Sequence, residues 1–80
     1  MIYASAVMPG LQRRRWAAAV ERLAPERCTV AAAADLAGVE RERFLAVLRR
    51  ELGGDLRLDS ELSRRQIVAA LNRRPASDGL

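Results

Sequence analysis

Arginine dominates the residues of this chain that could do chemistry. All 14 basic residues of the 80-residue sequence are Arg, against ten acidic residues, which leaves a net charge of +4. A guanidinium group suits two-pronged hydrogen bonding to a phosphate or a carboxylate. A GC-rich coding sequence would produce the same arginine bias without any ligand. Composition alone therefore leaves an anion-binding surface and a coding bias open.

The side chains that most enzymes depend on are missing. The chain has no His, which excludes His acid–base catalysis, Ser-His triads and His metal sites, and no Lys for a Schiff base or a phosphate loop. One cysteine, Cys28, cannot build a structural zinc site or an internal disulfide, and it favours a reducing, cytoplasmic setting. The sequence therefore predicts a non-catalytic protein with no metal, no cofactor, no small-molecule substrate and no membrane span.

Residues 29–52 carry the clearest structural pattern. Thr29 is a good N-cap for a short helix, and Gly38 can end that helix in a left-handed conformation. The apolar periodicity then restarts and continues at intervals of three and four. Its members in the two helices are Val30, Ala33, Ala34, Ala37, Val39, Phe44, Val47, Leu48 and Leu52. The stretch predicts two helices joined by a glycine turn.

This stretch resembles the bacterial helix-turn-helix motif, with Ala34, Gly38, Val39, Phe44 and Val47 at matching positions. Together with a following strand, it is similar to the winged-helix family. The resemblance implies a mainly α, four-helix winged-helix-like domain whose wing is truncated to one or two strands. It also implies DNA binding through the second helix of the motif.

The flanking segments complete a single predicted domain over residues 11–72. We expect a first helix at 11–24, ended by Pro25, and a strand at 55–59 that pairs with residues 27–29. A last helix, capped by Asp59 or Ser60, should run over 60–72. An apolar arm at 1–10 closes on a Pro-Gly turn, and residues 73–80 form a disordered tail. The predicted core contains Trp16, Val20, Leu23, Leu36, Phe44, Val47, Leu48 and Ile67.

Nucleic-acid binding and protein docking both remain open from the sequence. The candidate DNA contacts are outward residues of the second motif helix and basic residues of the first and last helices: Arg41, Glu42, Leu45, Arg49, Arg13, Arg14, Arg64 and Arg65. Residues 26–62 hold six Arg and eight acidic residues, so this segment has a net charge of −2, which opposes phosphate binding. An exposed Leu45 and the apolar arm would instead suit a protein partner or a homodimer.

A narrower resemblance links the chain to one protein family. The segments YASAVM, from Tyr3, and LRLDSELSRRQI, from Leu56, are similar to the C-terminal region of PglZ-type proteins of BREX phage-defence systems. The phosphatase domain of that family is absent from these 80 residues, so its catalysis does not carry over. The resemblance implies an accessory or interaction domain.

Overall fold

The computed structural model describes residues 9–73, which contain four helices and one small sheet. The helices are α1 (Pro9–Leu23), α2 (Val30–Ala37), α3 (Arg41–Leu52) and α4 (Arg64–Asn72), and the strands are β1 (Arg27–Thr29) and β2 (Glu61–Ser63). The predicted mainly α class is thus confirmed. Residues 1–8 and 74–80, which hold most of the predicted arm and tail, lie outside the described residues.

Helix α1 begins at Pro9, so the predicted Pro-Gly turn is wrong. Proline is well suited to a first helical turn, because its missing N–H has no intrahelical acceptor there and its φ is already helical. The helix ends at Leu23, just before Ala24 and Pro25, as expected from the bias that proline places on the residue before it.

Both caps predicted for the central pair of helices are present. The Thr29 hydroxyl oxygen accepts a 3.1 Å hydrogen bond from the Ala32 amide at the start of α2. Gly38 follows α2 with φ of 72°, the left-handed conformation that an L side chain rarely adopts. Residues 38–40 thus separate α2 from α3, and we call residues 30–52 the α2–turn–α3 unit.

The sheet has the predicted first strand but a different second strand. Strand β1 pairs antiparallel with β2, with Cys28 opposite Leu62. Residues 55–59 were expected to be that partner, and this expectation is wrong: they form turns. Leu56 and Leu58 pack against the core from an irregular loop, which reproduces the alternating pattern of a strand.

The loop of residues 53–60 has a role at the start of α2. The carbonyl oxygens of Leu58 and Ser60 accept 3.0 Å hydrogen bonds from the amides of Ala31 and Val30. With the Thr29 side chain, these carbonyls satisfy the first three amides of α2, which have no partner within the helix. That helix end is consequently already occupied by protein groups.

Helix α4 starts later than predicted. Its N-cap is Ser63, not Asp59 or Ser60, and the Ser63 hydroxyl accepts from the Gln66 amide at 3.0 Å. The Gln66 side chain accepts in return from the Ser63 amide at 3.2 Å, completing a capping box. The Ser-x-x-Gln signature of Ser63 and Gln66 therefore determines where α4 begins, in preference to Asp59 or Ser60.

The core lies where α1, α2, α3 and α4 meet. Four predicted members, Val20, Phe44, Leu48 and Ile67, are fully buried. The other large apolar members, Trp16, Leu36 and Val47, are half-buried at its edge. Leu23 is 51% exposed, so its assignment to the core is wrong.

The side of α1 that is buried is rotated by about one residue from the predicted side of Trp16, Val20 and Leu23. The buried side consists of Arg13, Ala17, Val20 and Ala24, at helical spacings of three and four. Its alanines are small, and Ala17 and Ala70 are almost completely buried where α1 and α4 are in contact. Trp16 and Leu23 consequently fall at the edge of this interface.

Candidate nucleic-acid interface

The exposed face of α3 is the most basic face of the α2–turn–α3 unit. Glu42, Arg43, Ala46, Arg49 and Arg50 are all exposed. Their spacing places them on one side of the helix, opposite Phe44 and Leu48, which are buried. This α3 face therefore presents three guanidinium groups and one carboxylate around a small alanine.

Seven of the eight acidic residues in 26–62 lie outside this face, and three of those seven are paired with arginines. Glu51 has a side chain only 10% exposed and accepts from Arg13 at 2.9 Å. Asp35 pairs with Arg41, and Glu61 lies 3.6 Å from Arg27. The net charge of −2 counted along the sequence thus hides a cationic surface on α3.

Arg41 is held at the turn by Asp35. Its Nε and Nη2 atoms donate to the two oxygens of that carboxylate, at 3.0 and 2.7 Å. The hydrogen bond from Arg41 lowers the pKa of the Asp35 carboxyl, and the positive charge of Arg41 adds to this effect. This bidentate pair occupies the edge of the guanidinium that would otherwise bind a base or a phosphate. In this structure Arg41 therefore stabilises the turn between α2 and α3.

Arg43 lies against the first helix. Its guanidinium carbon is 5.8 Å from the centre of the Trp16 ring, within range of a cation–π interaction. Its Nη2 also approaches the Gln12 side-chain oxygen at 3.4 Å. Trp16 in turn packs against Phe44, with ring centres 6.0 Å apart. The first half of α1 consequently borders the α3 face at Arg43.

Arg49 and Arg50 differ in how they are held. The Nε of Arg49 donates a 2.8 Å hydrogen bond to the Leu56 carbonyl oxygen, which ties it to the 53–60 loop. Arg50 forms no ion pair or side-chain hydrogen bond with any residue between 9 and 73. Arg49 is therefore oriented by the fold, whereas Arg50 can follow a ligand.

Two candidate contacts are not on the surface. Leu45 was expected to face outward, but it is 4% exposed and belongs to the core, so that prediction is wrong. Arg13 was expected to be an exposed phosphate contact, but it is 8% exposed. It donates to Glu51 at 2.9 Å and to the Ala70 carbonyl oxygen at 3.2 Å, and so links α1 to α3 and α4.

The remaining candidates fall into two groups. Arg14 is exposed on α1. Arg64 is half-buried and donates to the Ala24 carbonyl oxygen at 3.0 Å, while Arg65 is exposed. Arg64 and Arg65 line an open groove of about 670 Å³ between α1, α4 and the strands, to which α3 contributes no residue. The fold thus does not bring these two arginines to the α3 face.

Cys28 does not have the features of a reactive thiol. It is buried in β1, and burial raises its pKa, with Glu61 opposing the negative thiolate further. A raised pKa leaves the thiol protonated at neutral pH, and a protonated thiol is a poor nucleophile. The position of Cys28 therefore favours its interpretation as a small core residue.

Arg43 and Arg50 were missed as candidates. They are seven residues apart, two helical turns, and so lie on one side of α3. That spacing is visible in the sequence, but recognising their exposure requires knowing that Leu45, between them in the chain, faces the core.

No family model, curated protein or solved structure matches this chain. In the part of the chain from residue 9 to residue 73, none of the helices has both the length and the apolar character required to cross a bilayer.

Proposed function

We propose that this protein binds duplex DNA without catalysing a reaction, with α3 lying in the major groove. The observation that carries the proposal is the α3 face: Arg43, Arg49 and Arg50 surround Ala46, with Glu42 as its one acidic residue. A major groove accepts an α-helix, and arginine is the side chain most used there to contact phosphates and guanine.

The order of elements supports this placement. A strand lies between α1 and α2, and a second strand pairs with it after α3, as in a winged-helix domain without its hairpin wing. The loop of residues 53–60, which connects α3 to β2, carries Asp55 and Asp59 with a single Arg57. We therefore expect DNA contact through α3 and α1, with little from this loop.

Helix α1 adds contacts to the DNA phosphate backbone that α3 alone would not make. Arg15 is exposed and lies three residues after Gln12, hence on the side of α1 that meets Arg43. Arg15, Arg43 and Arg50 together would neutralise about three phosphates, for a slope of log affinity against log salt near −3. Non-specific binding should be weak, with a Kd of about 10⁻⁴ to 10⁻⁶ M.

The apolar surface that protein docking needs is small in the described residues. Leu45 is in the core, and among the side chains described, those of residues 12–73, Leu23 is the one large apolar side chain that is exposed. Protein interfaces have apolar, aromatic-rich centres. The α3 face has neither, which favours a polyanion over a protein or a second copy. The PglZ-type resemblance stays a prediction.

Fluorescence anisotropy with a labelled random duplex at two salt concentrations tests the proposal. Arg50→Gln should weaken binding and flatten the salt slope by about one unit, because one phosphate contact is lost. Arg65→Gln removes the same charge from the groove beside α4 and should change both quantities much less. Glu42→Gln should strengthen binding to random duplex, since it removes a repulsive charge from the face.

Two results would contradict the proposal. One is no binding by wild type or by Glu42→Gln even at low salt, which would favour the docking alternative. The other is an equal loss for Arg50→Gln and Arg65→Gln, which would show that net charge, and not the α3 face, determines the affinity.

A further inference from the structure

The α3 face has an internal order that bears on which DNA the protein prefers. Glu42, Ala46 and Arg49 form a row along one side of it, at spacings of four and three residues, with Ala46 nearest the centre of the face. Arg43 and Arg50 lie together on one flank of this row. Seven residues of helix rise about 10.5 Å, which matches about three base pairs of 3.4 Å each.

The fold fixes the orientation of Arg49, the last residue of the row. The Leu56 carbonyl oxygen accepts from Arg49 Nε at 2.8 Å, and no carboxylate of residues 9–73 pairs with this guanidinium. Its two terminal nitrogens therefore remain available as a fork of fixed orientation. Such a fork matches the O6 and N7 acceptors of guanine in the major groove.

Glu42, the first residue of the row, has the opposite charge to Arg49. The Glu42 carboxylate has no ion pair or hydrogen bond to any residue between 9 and 73. The residues three and four positions after it on the surface of α3 are Leu45 and Ala46, neither of which is charged. A free carboxylate in the groove accepts from the N4 amine of cytosine.

Ala46, between them, allows the row to approach the bases. Its side chain is a single methyl group, so the helix can come close, and a methyl group contacts the methyl of thymine. The flank formed by Arg43 and Arg50 is then placed to meet phosphates, which position a helix but carry no sequence information.

We infer that Glu42, Ala46 and Arg49 read a core of three base pairs whose two outer pairs are G·C, which rests on the proposed DNA binding. Glu42 contacts the cytosine of one outer pair and Arg49 the guanine of the other. Ala46 faces the central pair and favours thymine there.

Selection of binding sites from a random duplex library tests this inference. The wild-type chain should enrich sites with two G·C pairs separated by one pair. Arg49→Lys and Glu42→Gln should each relax one outer position and lose about 5- to 150-fold in affinity for the selected site relative to random duplex. Arg50→Gln is the matched control, and it should weaken selected and random duplexes by the same factor.

The possible results distinguish failure of this inference from failure of the proposed DNA binding. Binding to random duplex with no enriched core, or with a core that both variants leave unchanged, overturns the inference and leaves DNA binding standing. No binding to any duplex at low salt overturns both. Glu42→Gln removes no described contact and loses only the favourable interaction of the carboxylate with the N-terminus of α3, so its melting temperature should fall by no more than a few degrees. A change in specificity cannot then come from misfolding.

Discussion

The ion pair between Arg13 and Glu51 allows a sharp test of the packing. Both side chains are about nine-tenths buried, and they join α1 to α3 at 2.9 Å. Arg13→Met keeps much of the side-chain volume but leaves the Glu51 carboxylate without its main partner. Removing one member of a buried pair costs about 3–5 kcal/mol, because a charge stays behind in a low-dielectric site.

The lower end of that range applies here. Arg73 remains 3.6 Å from the same carboxylate, with a side chain that is about half exposed. The Ala70 carbonyl oxygen, which loses its bond from Arg13, keeps one from the Arg73 amide at 3.3 Å. We therefore expect a loss of about 3 kcal/mol. At about 4–8 °C per kcal/mol in a domain of this size, the melting temperature should fall by about 12–24 °C.

Arg13→Met combined with Glu51→Leu should regain most of this loss. The pair carries a desolvation cost of its own, since the buried Arg13 Nε has no partner within residues 9–73. Apolar side chains of similar volume avoid that cost. Urea denaturation followed by circular dichroism gives all four free energies of unfolding of the double-mutant cycle. A double variant as unstable as the sum of the two single variants, or single variants that melt with wild type, would refute the reasoning.

Three further changes test other parts of the fold. Phe44→Ala should cost about 3–5 kcal/mol, because the side chain is fully buried, and an unchanged thermal melt would show that Phe44 is not central to the core. Gly38→Ala should cost about 1–2 kcal/mol, since φ is 72° while the space for a Cβ is open, so denaturation should show a purely backbone penalty that Gly38→Asn largely avoids. Asp35 should titrate below its ordinary pKa, and the stabilisation from its pair with Arg41 should be present above that ordinary value and disappear as the pH falls through the lowered one. An NMR titration that gives the same Asp35 pKa in wild type and Arg41→Gln would contradict this pairing.

Helix identity and the turn of the central unit were predictable because their causes are local. Thr29 and Gly38 act through backbone atoms three or four residues away, so the sequence alone contains both partners of each interaction. The start of α4 was equally local, and the Ser63–Gln66 capping box would have placed it correctly. The error at residues 55–59 has another origin, because two inward leucines give a period of two in a loop as well as in a strand.

The candidate site depended on facts that no local pattern contains. Periodicity shows that a helix has an apolar side, but it does not decide between neighbouring stripes; on α1 the contact with α4 selected Ala17 and Ala24 over Leu23, and carried Arg13 inside. Leu45 is buried for a similar reason, and its burial leaves Ala46 at the centre of the exposed face.

The sequence by itself determined a basic, mainly helical domain with its central turn at Gly38. Only the tertiary structure decided which arginines are free to bind, because pairing and burial join residues far apart in the chain. Arg13 meets Glu51 across 38 positions, and Arg49 meets the Leu56 carbonyl oxygen through a loop that also caps α2. Charge counted along the chain treats all of these groups as equal, whereas the fold neutralises some and leaves Arg43, Arg49 and Arg50 on one exposed face.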